Sequence, residues 1–213
     1  GADAHAGFMP WDDWDVLTGE ADREITEDAR AKGTRHRNLA VLFGDGAAAL
    51  VVKRAPEGSG YLGTEVHTDG RLFDRIYIAS GGFKTRPYFT PEMFEREEHI
   101  PRMLGADLMK TAVTELNRVV RSLTEKHGIS LDQVDWIVAH QANDRINAAV
   151  QKALGIPAEK VPSNIARFGN TSAATIGILL DEMLRDGRAK KGQLICFFAL
   201  GSGLNWGATL IRL

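Results

Sequence analysis

The chain has 213 residues, 44% of them hydrophobic and 25% charged, with a formal net charge of −2 and one cysteine. This is the composition of an ordinary globular protein, and its near-neutral charge excludes a strongly basic nucleic-acid binder. One cysteine excludes a disulfide framework and a multi-thiolate zinc site, and no apolar run reaches the ~18 residues of a membrane span, so the expected compartment is a reducing cytoplasm.

Residues 1–38 open on GADAHAGFMPW and lack a clean period, which predicts a long surface excursion holding one short helix. The apolar run LAVLF at 39–43 is halted by Gly44-Asp45-Gly46 and followed by small residues over 47–52, a pattern suited to a backbone that turns tightly inside a packed core. A strand is expected over 61–69, and 79–101 reads as a second loop region, rich in glycine, proline and aromatics. Met103, Leu108, Ala112, Leu116, Val119, Val120 and Leu123 recur at helical spacing and predict an amphipathic helix over 102–127, closed by His127-Gly128. A strand over 134–139 precedes a helix over 142–154 that ends at Gly155. Thr171 or Ser172 is expected to cap a further helix running to about Asp186. A strand over 194–199 breaks at Gly201-Ser202-Gly203, and a last strand fills 205–213. Strands alternating with helices after residue 100 indicate an α/β layered fold.

Three segments are candidates for chemistry. His140, in AHQAN at the end of a strand and before a helix, stands where α/β sheets bind ligands, and serves either as a donor or base or as a satisfied core histidine. In FGNTSAA, Asn170 is either aimed into a cavity or part of an ordinary helix start. The Gly201-Ser202-Gly203 loop either offers backbone N–H groups to an oxyanion or is a simple hairpin turn.

Taken together, VDWIVAHQANDRI, RFGNTSAA, the closing LLDEMLRDGRAKKGQLICFFALGSGLNWGATLIRL and the earlier LFGDGAAALVV resemble the β-ketoacyl-acyl carrier protein synthase III type of condensing enzyme, in the thiolase superfamily. The likeness covers nearly all of 38–213, with MLGADLMKTAVTEL fitting the long helix before the histidine strand. It implies a layered α-β-α-β-α fold, of which this chain supplies the C-terminal half (101–213) and the end of the N-terminal half (1–100), the latter with long inserted loops at about 7–37 and 79–101. It further implies decarboxylative Claisen condensation of an acyl thioester with a malonyl thioester, in fatty-acid or polyketide metabolism. His140 and Asn170 would donate to the malonyl thioester oxygen, and Gly201, Ser202 and Gly203 would help to form the oxyanion site. Arg145 would stand near the carrier-protein docking surface, its alternative being a solvated helix charge. No cofactor or metal is implied; the substrates are coenzyme A or acyl carrier protein thioesters, and the expected partners are acyl carrier protein and a second copy or a related subunit.

The resemblance also implies a nucleophilic cysteine upstream of Gly1, on a separate Cys-bearing N-terminal portion, with Gly1 as a cut or junction. Cys196 does not substitute for it, because it lies inside the apolar run LICFF. Such a piece should leave open sheet edges and an exposed core face. The alternative is a non-catalytic structural or regulatory subunit of a heteromeric condensing enzyme. The aromatics Phe8, Trp11, Trp14, Phe83, Tyr88, Phe89 and Phe94 would line an acyl tunnel, cover a dimer interface or sit on plain surface loops.

Overall fold

The computed structural model describes residues 1–6 and 9–213; Phe8 lies outside them. At the start of the chain β1 (Ala2–Asp3) is followed by three short helices, α1 (Trp14–Leu17), α2 (Glu27–Arg35) and α3 (Arg37–Ala40). This is more regular structure than the single helix expected there. The reason is local capping rather than an apolar stripe: the Thr26 hydroxyl accepts from the Ala29 backbone at the start of α2, and only Ala29 of that helix is buried. The Asp13 carboxylate anchors the turn by accepting from Arg23 and from the Thr26 backbone and hydroxyl, which holds its pKa down at about 2.

The chain then forms β2 (Gly46–Ala47), antiparallel to β1, and the longer β3 (Gly60–Thr68). Between them the backbone is packed only as far as Ala48, which touches Gly177, and beyond it Leu50, Val51 and Val52 are 65%, 93% and 92% exposed. The small apolar run over 47–52 thus leaves the core instead of staying inside it, because no strand pairs with it past Ala47 among the described residues. After β4 (Ile76–Tyr77) and α4 (Pro91–Glu95), β5 (Arg102–Met103) pairs back onto β4. That pairing takes Met103 out of the expected helix, so α5 (Gly105–Lys126) begins three residues later than its periodicity indicates.

Beyond α5 come β6 (Trp136–Ala139), α6 (Asp144–Leu154), α7 (Ile165–Phe168), α8 (Thr175–Arg185), β7 (Leu194–Gly201) and β8 (Asn205–Arg212). The main sheet has the order β3-β8-β7-β6, with β6 parallel to β7 and the other pairs antiparallel. Because β3 is the edge of this sheet, the layer runs across the division expected at residue 100.

One face of the sheet packs on α5 and α6: Leu108, Ala112, Leu116, Val119, Val120 and Leu123 meet Cys196, Phe198, Ala208 and Leu210. The other face is covered by α8, whose Leu179, Leu180 and Met183 meet Val138 and Ile195. Covered on both sides, β6 is apolar throughout, as a parallel strand between two helical layers must be. Each fully buried leucine contributes roughly 1.5–3 kcal/mol to holding these layers. The α8 layer stops short of β3 and β8, where Val66 is exposed beside the Thr64–Thr209 hydroxyl pair. On the α5 side, Glu65 fastens β3 by accepting from Lys126, Ser122 and His67, and the Lys126 ammonium keeps its pKa near 2.

A second junction joins the segment after α3 to the segment before α8. Phe43 and Asn170 form a parallel bridge, in which Asn170 donates to Leu42 (2.8 Å) and Gly44 donates to Asn170 (3.1 Å). A Cβ at Gly44 would lie 2.0 Å from the Phe168 carbonyl oxygen, so the approach requires glycine. Gly44→Ala is expected to lower stability by about 1–3 kcal/mol through forced separation of these segments. Gly33→Ala, in α2 with nothing within 4 Å of the new methyl, should raise it by about 0.5–1 kcal/mol. Urea unfolding midpoints of the two variants check the contrast; equal shifts would overturn it.

Candidate active site

His140 occupies the first position past the C-terminal end of β6. Its backbone N–H donates to the Phe198 carbonyl (2.8 Å), which continues the parallel pairing one residue beyond the strand, and its own carbonyl accepts from Asn147 Nδ2 (3.1 Å). The chain then turns into α6, which starts late at Asp144 because Asn143 caps it: Asn143 Oδ1 accepts from the Arg145 N–H (2.9 Å). The ring of His140 meets one polar neighbour, with Nδ1 2.6 Å from Thr175 Oγ1. Burial pushes its pKa down to about 4, so the imidazole is neutral at physiological pH. What surface it retains opens onto the cavities described below.

Gln141 is fully buried and acts as a pivot. Its Nε2 donates to the Ala139 carbonyl, while its Oε1 accepts from Ser163 Oγ (2.9 Å) and from the Asn164 N–H (3.2 Å). Asn164 in turn donates to Glu182 Oε2 at 2.7 Å, so the strand end, the loop before α7 and helix α8 share one network.

Asn170 itself combines both expected readings. Its Oδ1 accepts from the Ser172 N–H (2.8 Å), so Asn170 opens the turn that leads into α8. Thr171 and Ser172 were the expected caps, but neither side chain makes a capping bond: a turn of 3-10 helix over Ser172–Ala174 comes first, and α8 begins at Thr175. With Oδ1 occupied, Asn170 is left with Nδ2 as its donor, 3.5 Å from the Ala142 carbonyl. Ser172 is held at φ 50°, a left-handed conformation uncommon for a residue with a side chain.

These residues meet around a cavity of about 800 Å³, lined by His140, Asn170, Arg145, Gly201 and Ser202 of the expected set. Gly203 does not line it. Ser202 is fixed by its hydroxyl donating to the Ile76 carbonyl (2.7 Å), and Arg145 is exposed on the first turn of α6. The apolar wall comes from Leu42, Phe43, Ile76, Met103, Met109 and Ile146. None of the aromatics of the inserted loops lines the cavity among the described residues: Trp14, Phe83, Tyr88, Phe89 and Phe94 are exposed, and Trp11 packs on a small cluster of Met9, Leu39 and Ile100. A second cavity of about 640 Å³, on the sheet face that α8 leaves uncovered, also borders His140 and Ser172.

Sequence reasoning missed Gln141, Asn147 and Thr175. Gln141 sits inside the AHQAN motif, where a fully buried amide is a readable signal, whereas Thr175 is 35 residues from its histidine and nothing local announces the contact. Cys196 is fully buried, with its thiol pushed up to about 12 by desolvation, as expected of a small core residue rather than a nucleophile. Among the described residues no helix is long and apolar enough to cross a membrane.

Comparison with known proteins gives the same family twice. Residues 124–213 match the family model described as 3-oxoacyl-[acyl-carrier-protein] synthase III C terminal, and residues 28–70 match the 3-oxoacyl-[acyl-carrier-protein] synthase III model. The β-ketoacyl-[acyl-carrier-protein] synthase III of Methylococcus capsulatus is 38% identical over 201 residues, which cover 92% of this chain and 60% of that protein. For the Synechococcus enzyme of the same name the identity is 37%, covering 100% and 56%. Among solved structures, the synthase III of Aquifex aeolicus superposes with a TM-score of 0.72 at 39% identity, covering 83% of this chain and 52% of that one. The Pseudomonas aeruginosa synthase III gives 0.70 at 33%, covering 87% and 53%. The chain spans between half and three fifths of the length of these relatives, and its α/β layers are a partial thiolase-like fold. By sequence and by fold alike, the chain belongs to the 3-oxoacyl-[acyl-carrier-protein] synthase III family.

Proposed function

We propose that this chain carries the decarboxylation site of a synthase III condensing enzyme whose nucleophilic cysteine is supplied by a separate polypeptide portion. The observation that carries the reading is the meeting of His140 and Asn170 on one cavity, where Nε2 of His140 and the second N–H of Asn170 Nδ2 have no side-chain or backbone partner among the described residues. In the reaction a malonyl thioester loses carbon dioxide. The electron pair of the broken C–C bond passes into the thioester group, and the oxygen takes up the negative charge. Nε2 of His140 and Nδ2 of Asn170 donate to that oxygen, and as fixed, largely buried donors they stabilise the enolate at little reorganisation cost. The enolate carbon then attacks an acyl group held on the cysteine, forming the new C–C bond and releasing the thiolate.

Several features support the division of labour. Cys196 is buried and protonated, so the acyl-carrying thiolate has to come from elsewhere. The second cavity gives access to His140 from the uncovered sheet face, which is the side left for a cysteine-bearing neighbour. The apolar wall of the first cavity suits the arm of a coenzyme A or acyl carrier protein thioester, with exposed Arg145 available to a phosphate or an acidic carrier. Gly201 and Ser202 would border the carbonyl under attack, and Gly203 serves as the turn behind them.

Two outcomes test this. Assembled with a cysteine-bearing N-terminal portion, the chain should release carbon dioxide from malonyl-coenzyme A, and His140→Ala or Asn170→Ala should each cut kcat by about 10²–10³-fold with assembly intact. Unchanged turnover in His140→Ala would make the chain a structural subunit instead. The second outcome concerns charge. Folding lowers the pKa of His140 from 6.5 to about 4, so the unfolded chain takes the proton more readily. Stability from this group is therefore full above pH 6.5 and is lost as pH falls towards 4. Urea melts between these limits should show a shallower loss in His140→Gln than in the parent, and the ring signal of His140 should not titrate near pH 6.5; a titration there would defeat the neutral-imidazole reading.

A further inference from the structure

A neutral imidazole carries one N–H, and which nitrogen bears it decides whether His140 offers the cavity a donor or a lone pair. Nδ1 faces Thr175 Oγ1 at 2.6 Å, so Nε2 is the only ring nitrogen left for the cavity. If Nδ1 held the proton, Nε2 would present a lone pair to a thioester oxygen that gains negative charge, and the contact would be repulsive.

The hydroxyl of Thr175 has one proton and two acceptors within reach: Nδ1 at 2.6 Å and the Ser172 carbonyl at 3.1 Å. The Ser172 carbonyl already accepts the backbone N–H of Thr175, so it is satisfied without the hydroxyl. At 2.6 Å the two groups are in close hydrogen-bond contact, and the tautomer of the ring decides which of them donates. Thr175 is 2% exposed, which removes water as a competitor for either group. As a β-branched residue on the first turn of α8 it also has few rotamers to choose from.

We propose that Thr175 is a positioning residue whose hydroxyl donates to Nδ1 of His140 and so fixes the imidazole in the tautomer that presents Nε2–H to the cavity. This rests on the reading of His140 as a donor to the thioester oxygen. The helix that follows Asn170 thereby sets both donors: Asn170 is oriented by the Ser172 N–H at its approach and His140 by the hydroxyl at its first residue.

The test is direct observation of the tautomer by ¹⁵N–¹H correlation on the histidine-labelled chain near neutral pH, with the His140 signals identified by their loss in His140→Gln. The expected result is a protonated Nε2 and an unprotonated Nδ1 in the parent and in Thr175→Ser. Thr175→Val, which keeps the shape and removes the hydroxyl, should lose that single pattern. A parent spectrum with the proton on Nδ1, or a Thr175→Val spectrum identical to the parent, would overturn the proposal. Should the valine variant fail to fold, the parent and serine spectra decide alone. In the assembled enzyme, Thr175→Val should lower kcat for malonyl-coenzyme A decarboxylation roughly 10²-fold with KM little changed, and Thr175→Ser should restore it. An enzyme that shows the Nε2–H tautomer and no decarboxylation in the parent would remove the functional reading and leave the tautomer assignment standing.

Discussion

The hydrogen bond from the His140 backbone to Phe198 is the constraint on which the site depends. It extends the parallel β6–β7 ladder one residue past the strand, into the region where the chain must turn towards α6. A residue in that position inherits the rigidity of the sheet without being covered by it. Everything else at the site is placed relative to this bond: Asn147 returns from α6 to the His140 carbonyl, and Gln141 reaches forward to the segment that leads to Asn170.

The second organising fact is that the side chains bonded directly to His140 and Gln141, those of Thr175, Asn147 and Ser163, are neutral. Burying a charge there would be costly, and the depressed pKa of His140 expresses that cost. Glu182 and Glu65 stand farther out, where Glu182 receives Asn164 and Arg167 and Glu65 receives Lys126, whereas the carboxylate-bearing Asp3 borders the cavity itself. Ser172 pays for part of the arrangement by sitting in a left-handed conformation, supported by the side chain of Asn170.

Much of this is legible in the sequence where the signal is local. The apolar stripe of α5, the strand before His140 and the stop at Gly155 follow from periodicity and from one glycine at φ 74°. The motif around Asn170 is also local, yet its division of roles is not: a Gly-Asn-Thr-Ser string offers three plausible caps, and tertiary contact with Leu42 and Gly44 selects Asn170. Helix α2 escapes notice because it is held by a cap and charges rather than by a buried face. The exit of 50–52 from the core is hidden for the opposite reason, since an apolar run reads as buried unless its strand partner is known to be absent. Thr175 is the least legible of all, a helix threonine whose role exists only through a residue on another element.

The burial of Cys196 has a practical consequence. With its sulfur enclosed in the sheet core and its thiol pushed up to about 12 by burial, Cys196 is shielded from thiol-directed reagents in the folded chain. For the same reason, a single cysteine introduced on the surface of this chain becomes a unique attachment point for a spectroscopic probe, with no need to remove the native one.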